Sequence, residues 1–112
     1  MAVRPLRQGS PQLVFLAILA RSESTPLEIA KLHAERTSRP QKELISVSSR
    51  YHHLEKLREA GFADYRLEER DGRSVRVYFI TAPGRRVLCD KRREVLELAD
   101  QLGIDGLEGS TA

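Results

Sequence analysis

The sequence of 112 residues predicts a mainly helical domain that carries one small β-hairpin, an α+β fold dominated by α. Three observations predict it. Leu13 to Ala20 is an apolar run with residues at helical spacing on nearly every side. Thr25-Pro26-Leu27-Glu28 is a capped helix start. Asp71-Gly72, set between two strand-like runs, is a strong hairpin signal. The resulting order is helix, helix, helix, hairpin, helix.

Residues 1–10 hold Pro5, Gly9 and Ser10 beside Arg4 and Arg7, and predict a flexible basic arm. Ser10 can cap a helix whose first residue is Pro11, since proline has no N–H to leave unpaired there. Leu13, Leu16, Ala17 and Ala20 recur in this first helix, with Val14, Phe15, Ile18 and Leu19 filling in, so it belongs at the centre of a core. In the second helix Thr25 is N-cap, Pro26 is N1 and Glu28 is N3, a capping box, and the helix runs to about Arg36. Thr37 to Glu43 is polar and contains Pro40, which resists helix, and Leu44-Ile45 is expected as a very short strand.

The third helix starts near Ser46 or Val47. Val47, Tyr51, Leu54 and Leu57 form its core stripe, with Tyr51 in a packing role, and Gly61 ends it. Phe62 to Glu69 and Ser74 to Ile80 are the hairpin strands, and in the second Val75, Val77 and Phe79 alternate with Arg76, Tyr78 and Ile80. Thr81 caps a last helix with Ala82-Pro83 in its first turn. It runs to Leu102 and stops at Gly103, and 104–112 is a flexible tail. A helix followed directly by a basic two-stranded hairpin is the plan of a winged helix-turn-helix. The third helix is narrow enough for a DNA major groove, the hairpin lies beside it, and the capped N-terminus of the second helix suits a phosphate.

Composition agrees with a single globular domain. Hydrophobic residues make up 40%, and the seven glycines bring the apolar share to about 46%. The longest apolar stretch, Leu13 to Ala20, is far short of the ~20 residues of a membrane helix, and no signal peptide is expected. A single cysteine, Cys89, points to a reducing cytoplasm and is expected to be a buried, inert thiol. The formal charge is +3, and Arg outnumbers Lys by fifteen to four. Residues 1–86 carry net +6 and 87–112 carry net −3. A basic body rich in guanidinium forks suits an anionic partner, most simply nucleic acid.

The candidate major-groove residues are Ser48, Ser49, His52, His53 and Lys56, whose hydroxyl, imidazole and ammonium groups bond base edges or phosphates. Arg50 either reaches the backbone from the rim or pairs with a nearby glutamate. Arg70, Arg73 and Arg76 are the wing candidates, suited to a narrow minor groove. Glu68, Glu69 and Asp71 lie among them, and ion pairing across the turn is the competing reading. No metal site is expected from His33, His52, His53 and Cys89, because a structural zinc needs four ligands in close pairs. No cofactor is expected. No phosphate loop, nucleophile elbow or metalloprotease helix is present, so no catalytic residues are assigned and an enzyme is excluded.

Residues 13–86, about two thirds of the chain, resemble the PadR-like transcriptional regulators. The apolar Leu13 to Leu19, Glu28-Ile29-Ala30, the pattern Ser-x-x-Ser-x-Tyr-x-x-Leu-x-x-Leu-x-x-x-Gly over Ser46 to Gly61, and Arg76 to Arg85 carry the likeness, while Pro26, Leu27 and Val47 depart from it. The resemblance implies a cytoplasmic, DNA-binding repressor acting as a homodimer on an inverted repeat. It divides the chain into a winged-helix domain at 11–82 and a dimerisation helix at 83–103. Val87, Leu88, Val95, Leu96, Leu98, Ala99 and Leu102 would form the dimer contact, unless that face packs on its own domain. No inducer is identified. Two other readings stand beside it: a plasmid or phage replication or partition protein that coats repeated sites, and a winged helix that binds a protein partner instead of DNA.

Overall fold

Each helix begins where a side chain can satisfy its first free N–H groups. The structure, a computed structural model, describes residues 10–36 and 44–103. The basic arm, the polar stretch around Pro40 and the C-terminal tail expected from the sequence lie outside them. The described elements are α1 (Pro11–Arg21), α2 (Pro26–Arg36), α3 (Val47–Glu59), β1 (Ala63–Arg70), β2 (Arg73–Ile80) and α4 (Ala82–Leu102). Ser10 Oγ accepts from Leu13 N–H at 3.2 Å. In the Thr25 box, Glu28 N–H donates to Thr25 Oγ1 at 3.3 Å and Thr25 N–H donates to Glu28 Oε1 at 2.8 Å. Ser46 and Thr81 cap α3 and α4 in the same way.

Helix α3 ends in a Schellman motif. Gly61, at φ +81°, donates to Arg58 O, and Phe62 N–H reaches back to Leu57 O, both at 2.9 Å. The chain then enters an antiparallel hairpin in which Ala63 faces Ile80 and Arg70 faces Arg73. Asp71 and Gly72 both have positive φ, 51° and 75°, as a type I′ turn requires.

The core is built around α1. Phe15, Leu16, Ile18 and Leu19 are at most 2% exposed and meet Ile29 of α2, Leu54 and Leu57 of α3, and Ala63, Tyr78 and Ile80 of the hairpin. Each buried Leu, Ile or Phe among them contributes roughly 1.5–3 kcal/mol by leaving water. Val87 and Leu88 pack half-buried against this cluster, which fixes the start of α4 to the domain.

Several expectations are corrected. The strand expected at Leu44-Ile45 does not form, and Ile45 O accepts instead from Arg50 Nε at 2.9 Å. The open edge of β2 is taken by Ser24, whose N–H and C=O pair with Tyr78 at 3.1 and 2.9 Å. The expected α3 stripe is only half core. Leu54 and Leu57 are buried, whereas Val47 is 59% and Tyr51 37% exposed, because Tyr51 turns toward the hairpin. Burial along β2 is graded more than alternating. Arg73 and Ser74 near the tip are exposed, and at the base Val77, Tyr78 and Ile80 are all buried. Cys89 is exposed, not buried, since it lies on the side of α4 away from Val87 and Leu88.

Candidate nucleic-acid interface

The packing of Leu54 and Leu57 decides which side chains of α3 face outward. At about 100° per residue, the opposite face carries Ser48, His52 and Lys56, with Ser49 on its flank. Ser48, His52 and Lys56 are exposed and Ser49 is half-buried. Lys56 Nζ lies 3.6 Å from Glu59 Oε2, an exposed pair that holds it loosely.

Arg50, expected at the rim or paired with a glutamate, makes no ion pair among the described residues; its guanidinium donates to Ile45 O and tethers the segment before α3. His53 turns toward α1. Its ring stands edge-on to Phe15 with centroids 5.7 Å apart, and Gln12 Nε2 lies 3.4 Å from its Nδ1. Phe15 also meets the buried His33 at 5.4 Å, and His52 lies 5.4 Å from His53. Burial lowers the His53 pKa below its ordinary 6.5, and the neighbouring His52 and His33 lower it further. Two adjacent histidines of one helix therefore have different surroundings, His52 in solvent and His53 against the core.

The hairpin presents two faces. On one, Arg66 bridges Glu23 at 2.7 Å and Glu68 at 2.6 Å, and Arg70 meets Glu68 at 3.3 Å and Glu28 at 3.6 Å. Arg66 first, then Arg70, holds the Glu68 carboxyl below the usual carboxylate range. These pairs run along β1 and over to the start of α2, not across the turn. Arg73, at the tip, makes no ion pair among the described residues.

The other face joins the hairpin to α3. Arg76, a wing candidate from the sequence, stacks on Tyr65 at 4.4 Å and lies 5.6 Å from the Tyr51 ring. Its Nη1 donates to Tyr78 Oη at 3.2 Å, and Tyr78 Oη donates to Glu55 Oε2 at 3.4 Å. Arg58 of α3 binds Glu55 at 3.3 Å and Asp64 at 3.2 Å and covers the far side of this group at Tyr65. Burial raises the Tyr78 pKa, so the phenol stays protonated and able to donate. Sequence reasoning did not find this joint. Its signal was the placement of all three tyrosines of the chain in α3, β1 and β2.

The residues expected at a dimer contact divide along α4. Val87 and Leu88 pack on the domain's own core, while Val95 and Leu96 are half-buried and Ala99 is 4% exposed. Leu98 and Leu102 are 50% and 64% exposed. Among the described residues no group of three or more His, Cys, Asp or Glu is arranged to hold a metal, and no helix is long and apolar enough to cross a membrane.

No protein-family model and no curated protein matches the sequence. Solved structures match the fold. A Thermoplasma acidophilum protein described as a transcriptional regulator is 26% identical, with a TM-score of 0.67 over 90% of this chain and 93% of its own. A PadR-like transcription factor of Bacteroides fragilis superposes with a TM-score of 0.69 at 15% identity, over 82% of this chain and 85% of its own. Bacillus subtilis PadR, in complex with operator DNA, gives 0.62 at 22% identity, over 75% of this chain and 47% of its own. The described residues thus form the winged-helix fold of these PadR structures, four helices with a two-stranded wing.

Proposed function

We propose that this chain is a sequence-specific regulator of transcription that binds double-stranded DNA as a homodimer. One observation carries the reading. Ser48, His52 and Lys56 form an outward row on the helix that precedes an arginine-tipped hairpin, in a fold that Bacillus subtilis PadR has in complex with operator DNA. Ser48, Ser49 and His52 read base edges, and Lys56 adds a guanine or phosphate contact. Arg73 enters the flanking minor groove, and Arg70 joins it when phosphates replace its carboxylate partners. Arg50 and His53 hold α3 in place, the first through Ile45 and the second against Phe15. The apolar row on α4 brings two copies together, with their α3 helices about 34 Å apart on one side of the duplex. Occlusion of a promoter by the bound dimer gives repression. A partner-binding wing would show a more apolar α3 face than this one.

Selection from a random pool of duplexes at near-physiological salt tests the reading. An enriched inverted repeat with half-sites one helical turn apart is expected. Replacing Ser48, His52 and Lys56 together by alanine should remove the enrichment, since each base contact carries roughly 1–3 kcal/mol of discrimination. Enrichment that survives the triple substitution overturns the assignment of α3 as the reading helix. Absence of binding even at low salt overturns DNA as the partner.

A further inference from the structure

We infer that the buried Tyr78 hydroxyl is a positioning group that locks the wing to the reading helix, so that Arg73 and α3 engage DNA as one rigid unit. The inference rests on the DNA-binding reading above and adds to it a device that no groove contact supplies. Tyr78 is 0% exposed, and its hydroxyl lies between two groups of opposite charge on different elements, Glu55 of α3 and Arg76 of β2. A buried hydroxyl with a donor on one side and an acceptor on the other has one favourable orientation, and losing it leaves its partners unsatisfied.

The planar Arg76 guanidinium extends the lock. It stacks on Tyr65 of β1 and lies 5.6 Å from the Tyr51 ring of α3, so movement of the hairpin against the helix breaks the Arg76–Tyr51 contact as well as the hydrogen bond from Tyr78 to Glu55. Arg76 is thereby committed to the joint and is not a groove contact. The tip needs such a brace. Beyond the base the two strands have, among the described residues, each other and the exposed ion pairs of Arg66 with Glu23 and Arg70 with Glu28, which hold loosely, and a lone hairpin is marginally stable in water. With the base held, the Arg73 side chain is presented at a fixed angle to Ser48, His52 and Lys56, and the ordering cost of binding falls.

Tyr78→Phe removes the hydroxyl and keeps the ring, so the core remains packed. Two measurements on the full chain decide the matter. The first is amide hydrogen exchange of the free protein. It should speed up about tenfold at Arg66 to Val77 in Tyr78→Phe, with α1 and α2 unchanged. Unchanged exchange in the hairpin overturns the lock. The second is a double-mutant cycle with Arg73→Ala on the selected duplex. Arg73→Ala alone should weaken binding about tenfold, and it should cost far less in the Tyr78→Phe background, because an unbraced wing no longer presents the arginine. Independent losses that multiply overturn the coupling even where exchange has changed.

Glu55→Gln keeps an acceptor for the hydroxyl and should resemble the parent chain, whereas Glu55→Ala should resemble Tyr78→Phe. Glu55→Ala that behaves as the parent chain counts against the relay. If the parent chain binds no duplex, the DNA-binding reading fails and with it the coupling, while the exchange measurement still decides the lock.

Discussion

Gly84 shows how much a single atom decides. A Cβ there would clash with Phe62 O and sit 2.8 Å from Ile80 Cγ1, so only glycine lets α4 start against the base of the hairpin. In an open helix Gly→Ala stabilises by roughly 0.5–1 kcal/mol. Here the clash is with backbone, which cannot swing aside, and Gly84→Ala should instead cost about 1–3 kcal/mol net. A lower urea midpoint at unchanged m would register it; a raised midpoint would refute the close approach. His53 makes a second residue-scale prediction. Its pKa is lowered in the folded chain, chiefly by burial, so the unfolded chain takes up a proton more readily. The stability His53 contributes is therefore complete above its ordinary 6.5 and is lost as pH falls from there toward the lowered value. Melting temperature should fall between pH 7 and about pH 5, and His53→Gln should flatten the fall. An equally steep fall in the variant would place the acid sensitivity elsewhere.

At the scale of elements, what was legible in the chain was whatever a local rule governs. Ser10, Thr25 and Thr81 cap their helices as expected because capping needs only a hydroxyl at the right offset, and Ser46, read only as a possible helix start, does the same. Asp71-Gly72 turns the hairpin because both positions need positive φ. Relations between elements were not legible. Val47 and Tyr51 fit the helical period of Leu54 and Leu57, yet among the described residues the first turns of α3 are left more exposed than Leu54 and Leu57. The Ser24 bridge could not be seen because two backbone groups carry no side-chain pattern. The alternation of Arg66, Glu68 and Arg70 along β1 did carry a signal of same-face ion pairing, whereas the reach of Arg66 to Glu23 depended on the fold. The hairpin arginines accordingly differ in their surroundings, and the proposed DNA contact predicts different roles for them. Arg73→Ala should lower the slope of log affinity against log salt by about one, as loss of one neutralised phosphate does. Arg66→Ala, whose charge is balanced by Glu23 and Glu68, should leave that slope nearly unchanged. Binding titrations across salt concentrations would show both, and equal slopes for all three proteins would count against Arg73 as a phosphate or minor-groove contact.

For the whole molecule, α4 is the element whose apolar surface exceeds what its own domain covers. Leu88, Val95, Leu98 and Leu102 lie on one stripe of the helix. The beginning of the stripe is held against the core at Leu88, and its end leaves Leu98 and Leu102 in solvent. A second copy using the same stripe would close both ends by symmetry, since a two-fold contact presents the same patch twice. The consequence for DNA is quantitative. In the proposed complex one winged helix would meet one half-site, and joining two would make the second contact intramolecular, which would raise affinity by about 10²–10⁴ without any new contact to DNA. Leu98→Glu with Leu102→Glu should therefore leave a folded monomer in sedimentation at concentrations where the proposed dimer of the parent chain is expected. Affinity for the inverted repeat should fall toward that for a single half-site, while single-half-site affinity stays put because α3 and the wing are untouched. A charged stripe that still sediments as a dimer would move the interface off α4. A monomer that still binds the inverted repeat at full strength would mean that the two half-sites are read independently.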